Sequence, residues 1–329
     1  WHRDYLASTA SQQAYRHWHS LLKGAPSCHN FPLEFARPST LSVEGDVVYH
    51  DIKGASFDKI KRAAQQNNTS VFLLLQSLFA GFMARYGDEE DLVISSVYAN
   101  RTPSAFMNTI GMFANTIPFR YRLDETTDVG HLINSTREQH NLALRHQQFP
   151  FEMMLEGLSI ERDPSYNPLV QVQFVLQEDA LSEFTLNGLD VEIVSNRQAV
   201  AKFDFSVHLY INQDNVKIQW EFNTNLFSKA RLQEILAHFL EFIEHHVDKE
   251  FAKVLLYKFD GQSAANEVQK SNFDAYISNP ELIEQYATSQ PQAIAVKDGD
   301  RQLNYRELVA NANKFIAGLQ QRGVGFGDR

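Results

Sequence analysis

The residues best suited to chemistry in this 329-residue chain fall in three short strings that mix polar groups with proline and aromatic rings. They are Ile110-Gly-Met-Phe-Ala-Asn-Thr-Ile-Pro-Phe-Arg120, His146-Gln-Gln-Phe-Pro-Phe-Glu152 and Arg162-Asp-Pro-Ser-Tyr-Asn-Pro-Leu169. An amphipathic helix or an alternating strand requires only apolar spacing, so Asn115, Arg120, His146, Gln147, Glu152, Arg162, Asp163 and Asn167 ask for another explanation. Asn115 can cap a turn before a strand or orient a substrate with its amide, and Arg120 can pair with a carboxylate. His146 titrates near neutrality and could act as a base, but Pro150 and Phe151 beside it predict a packed turn with His146 donating to a backbone carbonyl. Arg162 and Asp163 can fix a proline-flanked loop by charge-assisted bonds, which leaves Asn167 free to present its amide.

Other constellations lack a required part. His17 and His19 do not share a helical face, and His238 and His245 have no Cys or carboxylate at metal spacing. No GxSxG elbow surrounds a serine, Cys28 has no activating context, and no glycine-rich phosphate loop is present.

In this order the three strings resemble the later core motifs of the condensation domain of nonribosomal peptide synthetases, approximately IGxFxNTxxxR, HQxxPFE and RDxSxNPL. The resemblance covers most of residues 5–247 and extends to Tyr15-Arg-His-Trp18, Phe35-Ala-Arg-Pro38, Phe203-Asp204 and Glu221-Phe-Asn-Thr-Asn-Leu-Phe227. It implies an α/β fold like chloramphenicol acetyltransferase, a sandwich lobe with a mixed sheet and flanking helices, and amide-bond formation between carrier-bound donor and acceptor. It also implies that the strings converge on one cleft edge, with Asn115 and Asn167 as substrate-channel candidates. Arg120, His146, Gln147, Glu152, Arg162 and Asp163 would be motif scaffold.

The family's HHxxxDG motif is not in this sequence, so no residue is expected to be catalytic and the chain is expected to begin mid-domain. His245-His-Val-Asp-Lys-Glu250 lacks the Asp and Gly at the required offsets and reads as a solvated helix end. Toward the other end, Leu303-Asn-Tyr-Arg-Glu-Leu308 resembles the first core motif of an adenylation domain, and Gly323-Val-Gly-Phe-Gly-Asp328 resembles the stretch just after that motif. The implied organisation is 1–248, the C-terminal part of a condensation domain; 249–271, a linker anchored by Leu255, Leu256 and Tyr257; and 272–329, a short α/β fragment of an adenylation domain.

The implied partners are upstream and downstream peptidyl carrier proteins bearing 4'-phosphopantetheine, an N-terminal condensation lobe and the rest of the adenylation domain. No cofactor is expected to bind directly, and ATP with magnesium would belong only to a complete adenylation domain. An epimerisation domain of the same family and a non-catalytic lobe that docks carrier proteins are the alternatives. The upstream sequence separates them, since an intact HHxxxDG supports catalysis.

Periodicity supplies the elements that must position these residues. Helices are predicted at 11–22, from Ser56 as N-cap to about 67, at 70–86 with Gly87 past the end, at 129–144 capped by Asp128, near Pro150, at 228–247, 281–288 and 304–321. The third of these, Val71 to Tyr86, is apolar all round, which predicts burial on nearly all sides. Strands are predicted at 43–52, 92–97, 117–123, 169–177, 189–194, 203–211, 216–222 and 293–296, with a hairpin turn at Asn212-Gln-Asp-Asn215.

A net charge of −10 without a basic run argues against nucleic acid, and 24 phenylalanines supply a large core. A single cysteine and no apolar run of membrane-spanning length fit a cytoplasmic parent, away from any membrane.

Overall fold

The computed structural model describes residues 1–103, 106–158, 160, 162–177, 200–259, 279–298 and 301–320. Two compact units divide the chain between Phe259 and Asp260.

The first unit is built on a six-stranded mixed sheet. Its strands are β1 (Gly45–Lys53), β2 (Asp91–Tyr98), β3 (Asn115–Arg122), β4 (Val172–Gln177), β5 (Phe205–Ile211) and β6 (Asn215–Asn223), in spatial order β1-β6-β5-β4-β2-β3. β4 runs parallel to β2 and β5, and the other neighbours are antiparallel. At the β5–β6 hairpin, Asn212 Oδ1 accepts the N–H groups of Asp214 and Asn215, so the expected turn forms through a side chain that mimics backbone.

The helices are α1 (His2–Leu6), α2 (Thr9–Leu22), α3 (Ala55–Gln66), α4 (Val71–Gly87), α5 (Val129–His146), α6 (Phe151–Glu156) and α7 (Lys229–His246). Ser8, Ser70, Asp128 and Ser228 cap α2, α4, α5 and α7 by accepting a backbone N–H of the first turn. Two helix ends differ from expectation. α3 begins after Gly54, whose φ of 62° only glycine adopts without strain, so Ser56 lies inside the helix. α4 keeps Gly87, and Asp88 takes the left-handed position at φ 51°.

α4 is buried from Leu74 to Ala84, which explains its apolar composition. Phe79 stacks on Phe174 of β4 at 4.8 Å and meets Trp220 and Phe239 edge-on at 5.8 and 5.4 Å, so one helix joins sheet and α7 in a single aromatic core. Gly81 lets the chain approach closely, because a Cβ there would lie 3.0 Å from Leu132 Cδ1 and 3.4 Å from Val254. Among the described residues no single helix is long and apolar enough to cross a membrane, and α3 and α4, which pass only as a pair, are bent by 98°.

Residues 250–259 pack onto this unit. Val129 and Gly130 donate to the carbonyls of Ala252 and Glu250, and Val254 donates to Thr127. Val254 and Phe259 are the buried anchors here, Leu255 and Tyr257 are half-buried, and Leu256 is 60% exposed, so Leu256 does not act as expected.

β4 starts three residues later than expected because Leu169, buried at φ 69°, cannot continue a strand. The strand expected at 189–194, the linker residues 260–271 and the glycine-rich string 323–328 lie outside the described residues.

The second unit comprises α8 (Asn279–Ser289), an antiparallel hairpin of β7 (Ile294–Asp298) and β8 (Arg301–Asn304), and α9 (Tyr305–Gln320). Asn304 and Glu307 form a reciprocal capping box: Glu307 N–H donates to Asn304 Oδ1 at 2.9 Å, and Asn304 N–H donates to Glu307 Oε2 at 3.1 Å. The polar positions of the Leu303–Leu308 string therefore start a helix.

Candidate functional site

α2 is the rod on which the first two strings hang. Its 14 residues span about 21 Å at 1.5 Å per residue. Trp18 Nε1 donates to the His146 carbonyl at 3.2 Å. At the helix C-terminus, Arg120 donates to the carbonyls of Leu21, Lys23 and Gly24 at 3.0, 2.9 and 2.7 Å. The same guanidinium forks onto Asp91 at 2.8 and 2.5 Å, so the predicted carboxylate partner is present, and the larger role is closing a helix end whose carbonyls have no partner within the helix.

Asn115 opens β3 opposite Tyr98. Its amide nitrogen donates to the carbonyls of Gln147 and Phe149, both at 2.8 Å, and its oxygen accepts the Phe151 N–H at 3.1 Å. Asn115 therefore holds the turn between α5 and α6, more than 30 residues away, instead of capping a local turn. Gln147 is buried and donates to the Leu144 carbonyl, and Glu152 stands exposed in the first turn of α6, after Pro150 as N-cap. His146 serves the contact with α2 through its own carbonyl as acceptor, while its ring stacks on His17 at 4.7 Å. Burial, and then the neighbouring imidazole, pushes His17 down to about 4; burial and Arg145 lower His146.

Replacing Asn115 by alanine is expected to cost about 2–3 kcal/mol in urea unfolding, because two carbonyls and an N–H lose their partner. A loss under about 0.5 kcal/mol, together with abolished transfer in the parent enzyme, would instead assign the amide to substrate.

The third string sits at the opposite end of the sheet. Parallel pairing of Ser95 with Gln173 places the residues before β4 alongside the start of β2, whereas Asn115 faces its end. Asp91 and Tyr98 are seven strand steps apart, about 23 Å, so the strings do not meet at one point: Asn115 and the second string lie toward one end of β2, while Arg120, paired with Val93, and the third string lie toward the other. A cavity of about 360 Å³ lies between the C-terminal end of α2 and Gly157, Leu158 and Ile160.

Asp163 accepts the Ser165 N–H at 2.7 Å, and that bonding, together with Arg37, holds its carboxyl below the usual range. Arg162 is exposed and forms no ion pair among the described residues, so the expected Arg162–Asp163 pair does not form. The Asn167 amide is not free: its nitrogen donates to the Lys202 carbonyl at 2.6 Å.

What fixes this loop escaped sequence reasoning. Asp204, 1% exposed, receives Arg37 through both oxygens at 2.8 and 2.5 Å and His29 Nε2 at 2.9 Å. The Phe31 N–H donates to His29 Nδ1 at 3.1 Å, which leaves Nε2 turned to Asp204. Burial opposes ionisation of Asp204, but Arg37 and His29 outweigh it and lower its pKa. Gln171 donates to the Ser27 and Asn167 carbonyls and accepts the His29 N–H, binding the loop to the segment after α2. Asp204 and Arg37 were visible in family-like strings; His29 and Gln171 carried no signal of their own. Cys28 Sγ lies 3.7 Å from Arg37, yet burial raises the thiol, which disfavours a nucleophilic thiolate.

Two further histidines are structural. His246 is buried, not solvated: its Nδ1–H donates to the Phe242 carbonyl at 2.9 Å, and burial lowers it to about 4. His140 accepts the Tyr98 hydroxyl at 2.6 Å on Nδ1 and donates from Nε2 to Gln76 Oε1 at 2.7 Å. Gln76 donates onward to Tyr121, and Ser77 to Thr136, so a polar network joins α4, α5, β2 and β3. Gln76-Ser77 within an otherwise apolar helix was the readable sign of it.

The assembled groups fix helix ends and loops, with Arg120 and Asp204 buried and bonded. The mixed sheet with its flanking helices is the chloramphenicol-acetyltransferase-like condensation fold. Residues 1–255 match the condensation domain model, and the chain belongs to that family. Tyrocidine synthase 3 of Brevibacillus parabrevis is 28% identical over 331 residues, covering 99% of this chain and 5% of that protein. The chain thus spans a small fraction of the curated relatives it matches. A four-domain nonribosomal peptide synthetase bound to AMP and glycine superposes with a TM-score of 0.70 at 21% identity, over 97% of this chain and 26% of that one. The X-domain from teicoplanin biosynthesis gives a TM-score of 0.70 at 20% identity, over 75% of this chain and 56% of that one.

Proposed function

We propose that this chain is the second lobe of a condensation domain in a nonribosomal peptide synthetase, followed by the start of an adenylation domain. The parent would join a carrier-bound acyl or peptidyl donor to the amine of a carrier-bound aminoacyl acceptor. The observation that carries this reading is the family match over residues 1–255 in a chain that contains the three later motif strings and no HHxxxDG. Coverage of 56% of the chain of the first condensation domain of the CDA synthetase supports a lobe. The adenylation reading of 272–329, after a linker at 249–271, rests on the Leu303–Leu308 string and on alignment with a synthetase over 99% of the chain.

In the transfer, the neutral amine attacks the thioester carbonyl; the C–N bond forms, the C–S bond breaks, and the amine proton ends on the departing thiol. Neighbouring donors stabilise the oxyanion, and positioning on the two phosphopantetheine arms supplies much of the rate. Here the lobe contributes a braced wall: Asn115 fixes the α5–α6 turn, and Asp204, Arg37 and His29 fix the loop carrying Asn167, whose Oδ1 is the part left for a substrate. The histidine-bearing lobe, the two carrier proteins and the rest of the adenylation domain are the partners of a cytoplasmic enzyme, and ATP with magnesium belongs to the complete adenylation domain.

Single-turnover transfer between loaded carrier proteins tests this. The chain alone is expected to form no amide above background, and the full-length synthetase to form it. Amide formation by the chain alone, or epimerisation instead of transfer by the parent, would overturn the reading. A docking lobe without catalysis is the second reading, favoured by the likeness to the X-domain, which has also been solved in complex with OxyB. A parent that binds carriers but forms no amide would select it.

A further inference from the structure

The two margins of the six-stranded sheet are finished differently. At β3, Gln139 of α5 accepts the Arg120 N–H at 3.0 Å, so a helix side chain attends that edge. At β1 the outward groups follow from alternation. Thr224 donates to the Glu44 carbonyl at 3.0 Å on the β6 side, and Ala201 donates to the Val43 carbonyl at 3.1 Å on the other side. Both polar groups of a strand residue point the same way and alternate along the chain, so the odd-numbered residues of β1 face away from β6. Asp46 covers one of them by accepting the Val47 N–H at 2.7 Å. Among the described residues, no backbone pairs with the outward groups of Tyr49 and Asp51.

Beside this open edge runs a groove of about 360 Å³, lined by Ile52 of β1, Ile60 of α3, and Leu240 and Ile243 of α7. Asp51, Glu241 and Glu244 also line it, against one lysine, Lys53. Lys59 reaches Glu244 at 2.9 Å and Asp248 at 3.5 Å, and adding Lys59 with Asp248 leaves the same excess of carboxylate.

We propose that β1 and this groove form a docking site for an extended, lysine- or arginine-bearing segment of another protein, which joins the sheet as an antiparallel strand outside β1. Outward N–H and carbonyl groups give main-chain bonds that a helix or a folded surface cannot use, and an apolar groove beside them receives alternate side chains. The Glu44–Val200 bridge already joins an antiparallel segment to this edge at its start. The carboxylate excess selects a cationic segment and disfavours a second copy of a chain whose net charge is −10.

A labelled short peptide of alternating lysine and valine is the probe, titrated against the chain by fluorescence anisotropy. The same peptide with glutamate for lysine, and the lysine peptide N-methylated at alternate residues, are measured beside it. The lysine peptide is expected to bind more tightly as salt is lowered and to slow hydrogen exchange at Tyr49 and Asp51. The double variant Asp51→Lys, Glu244→Lys should weaken binding about tenfold with little change in melting, since both side chains are largely in water. Tyr49→Pro removes an outward N–H while sparing the β6 ladder, and it should weaken binding to a similar degree. No binding of the lysine peptide, or unchanged affinity in both variants, overturns the proposal. Equal binding of the N-methylated peptide also overturns it, since that marks charge attraction alone, as does equal binding of the glutamate peptide. Slow exchange at Tyr49 and Asp51 in dilute chain without peptide marks an edge already covered, and slowing that grows with chain concentration marks pairing of two copies; either result overturns it too.

Discussion

Substituting Arg120 with alanine is expected to destabilise the first unit by about 3–5 kcal/mol, the largest effect of any single change on this surface-to-core frame. The guanidinium is almost fully buried and serves Asp91 and three carbonyls at the end of α2. Truncation leaves those carbonyls without a donor and Asp91 without its fork. For a unit of this size the loss corresponds to roughly 6–20 °C in Tm. Arg120→Lys keeps the charge but cannot reach both sets of acceptors, so it should recover less than half of the loss. Differential scanning calorimetry of the two variants checks both numbers; an alanine variant within about 1 kcal/mol of the parent would show that α2 is held by packing alone.

The second large effect is loss of stability in mild acid. His140 and His246 are folded with pKa values near 4, both lowered by burial, against 6.5 in the unfolded chain. The unfolded state therefore takes up protons first as pH falls below 6.5, and folding free energy is lost progressively until the folded groups titrate near 4. Each contributes a slope of about 1.4 kcal/mol per pH unit in that window, or about 2 kcal/mol between pH 6.5 and 5. Glu89 and Glu221, raised by burial, act in the opposite direction from just above 4.5, and Asp204, lowered by its partners, adds to the loss below about 4. The pair should thus lower unfolding free energy by about 4 kcal/mol by pH 5, before the glutamates offset part of it. His246→Asn keeps a donor for the Phe242 carbonyl and removes the titration, so its stability should fall less steeply with acid. Urea unfolding at several pH values measures the slope; a flat profile from pH 7 to 5 would mean that these rings are charged in the fold.

Local rules placed most elements correctly where their physical cause is local. The Asp128 cap, the helix starts at Ser70 and Ser228, the all-round apolar face of α4 and the Asn212 turn each act within four residues and are where periodicity and capping put them, whereas α2 starts earlier than expected, capped by Ser8. Helix ends at Gly54 and Asp88 shifted because backbone angle, not side-chain type, chose the stop. Leu169 shows the same limit, since nothing in a leucine announces a left-handed backbone.

Partner choice among the polar residues was not readable. The sequence by itself determined that Asn115, Arg120, Asp163 and Asn167 are polar groups set among prolines and aromatics, and that the chain resembles the condensation family. Only the tertiary structure decided that Arg120 closes α2, that Arg37 pairs with Asp204, that His246 is buried, and that Asn115 and the third string lie toward opposite ends of β2. The reason is range: a cap or a turn is satisfied by neighbours in the chain, whereas a buried guanidinium or carboxylate takes whichever partner the packed sheet brings near, here up to 175 residues away.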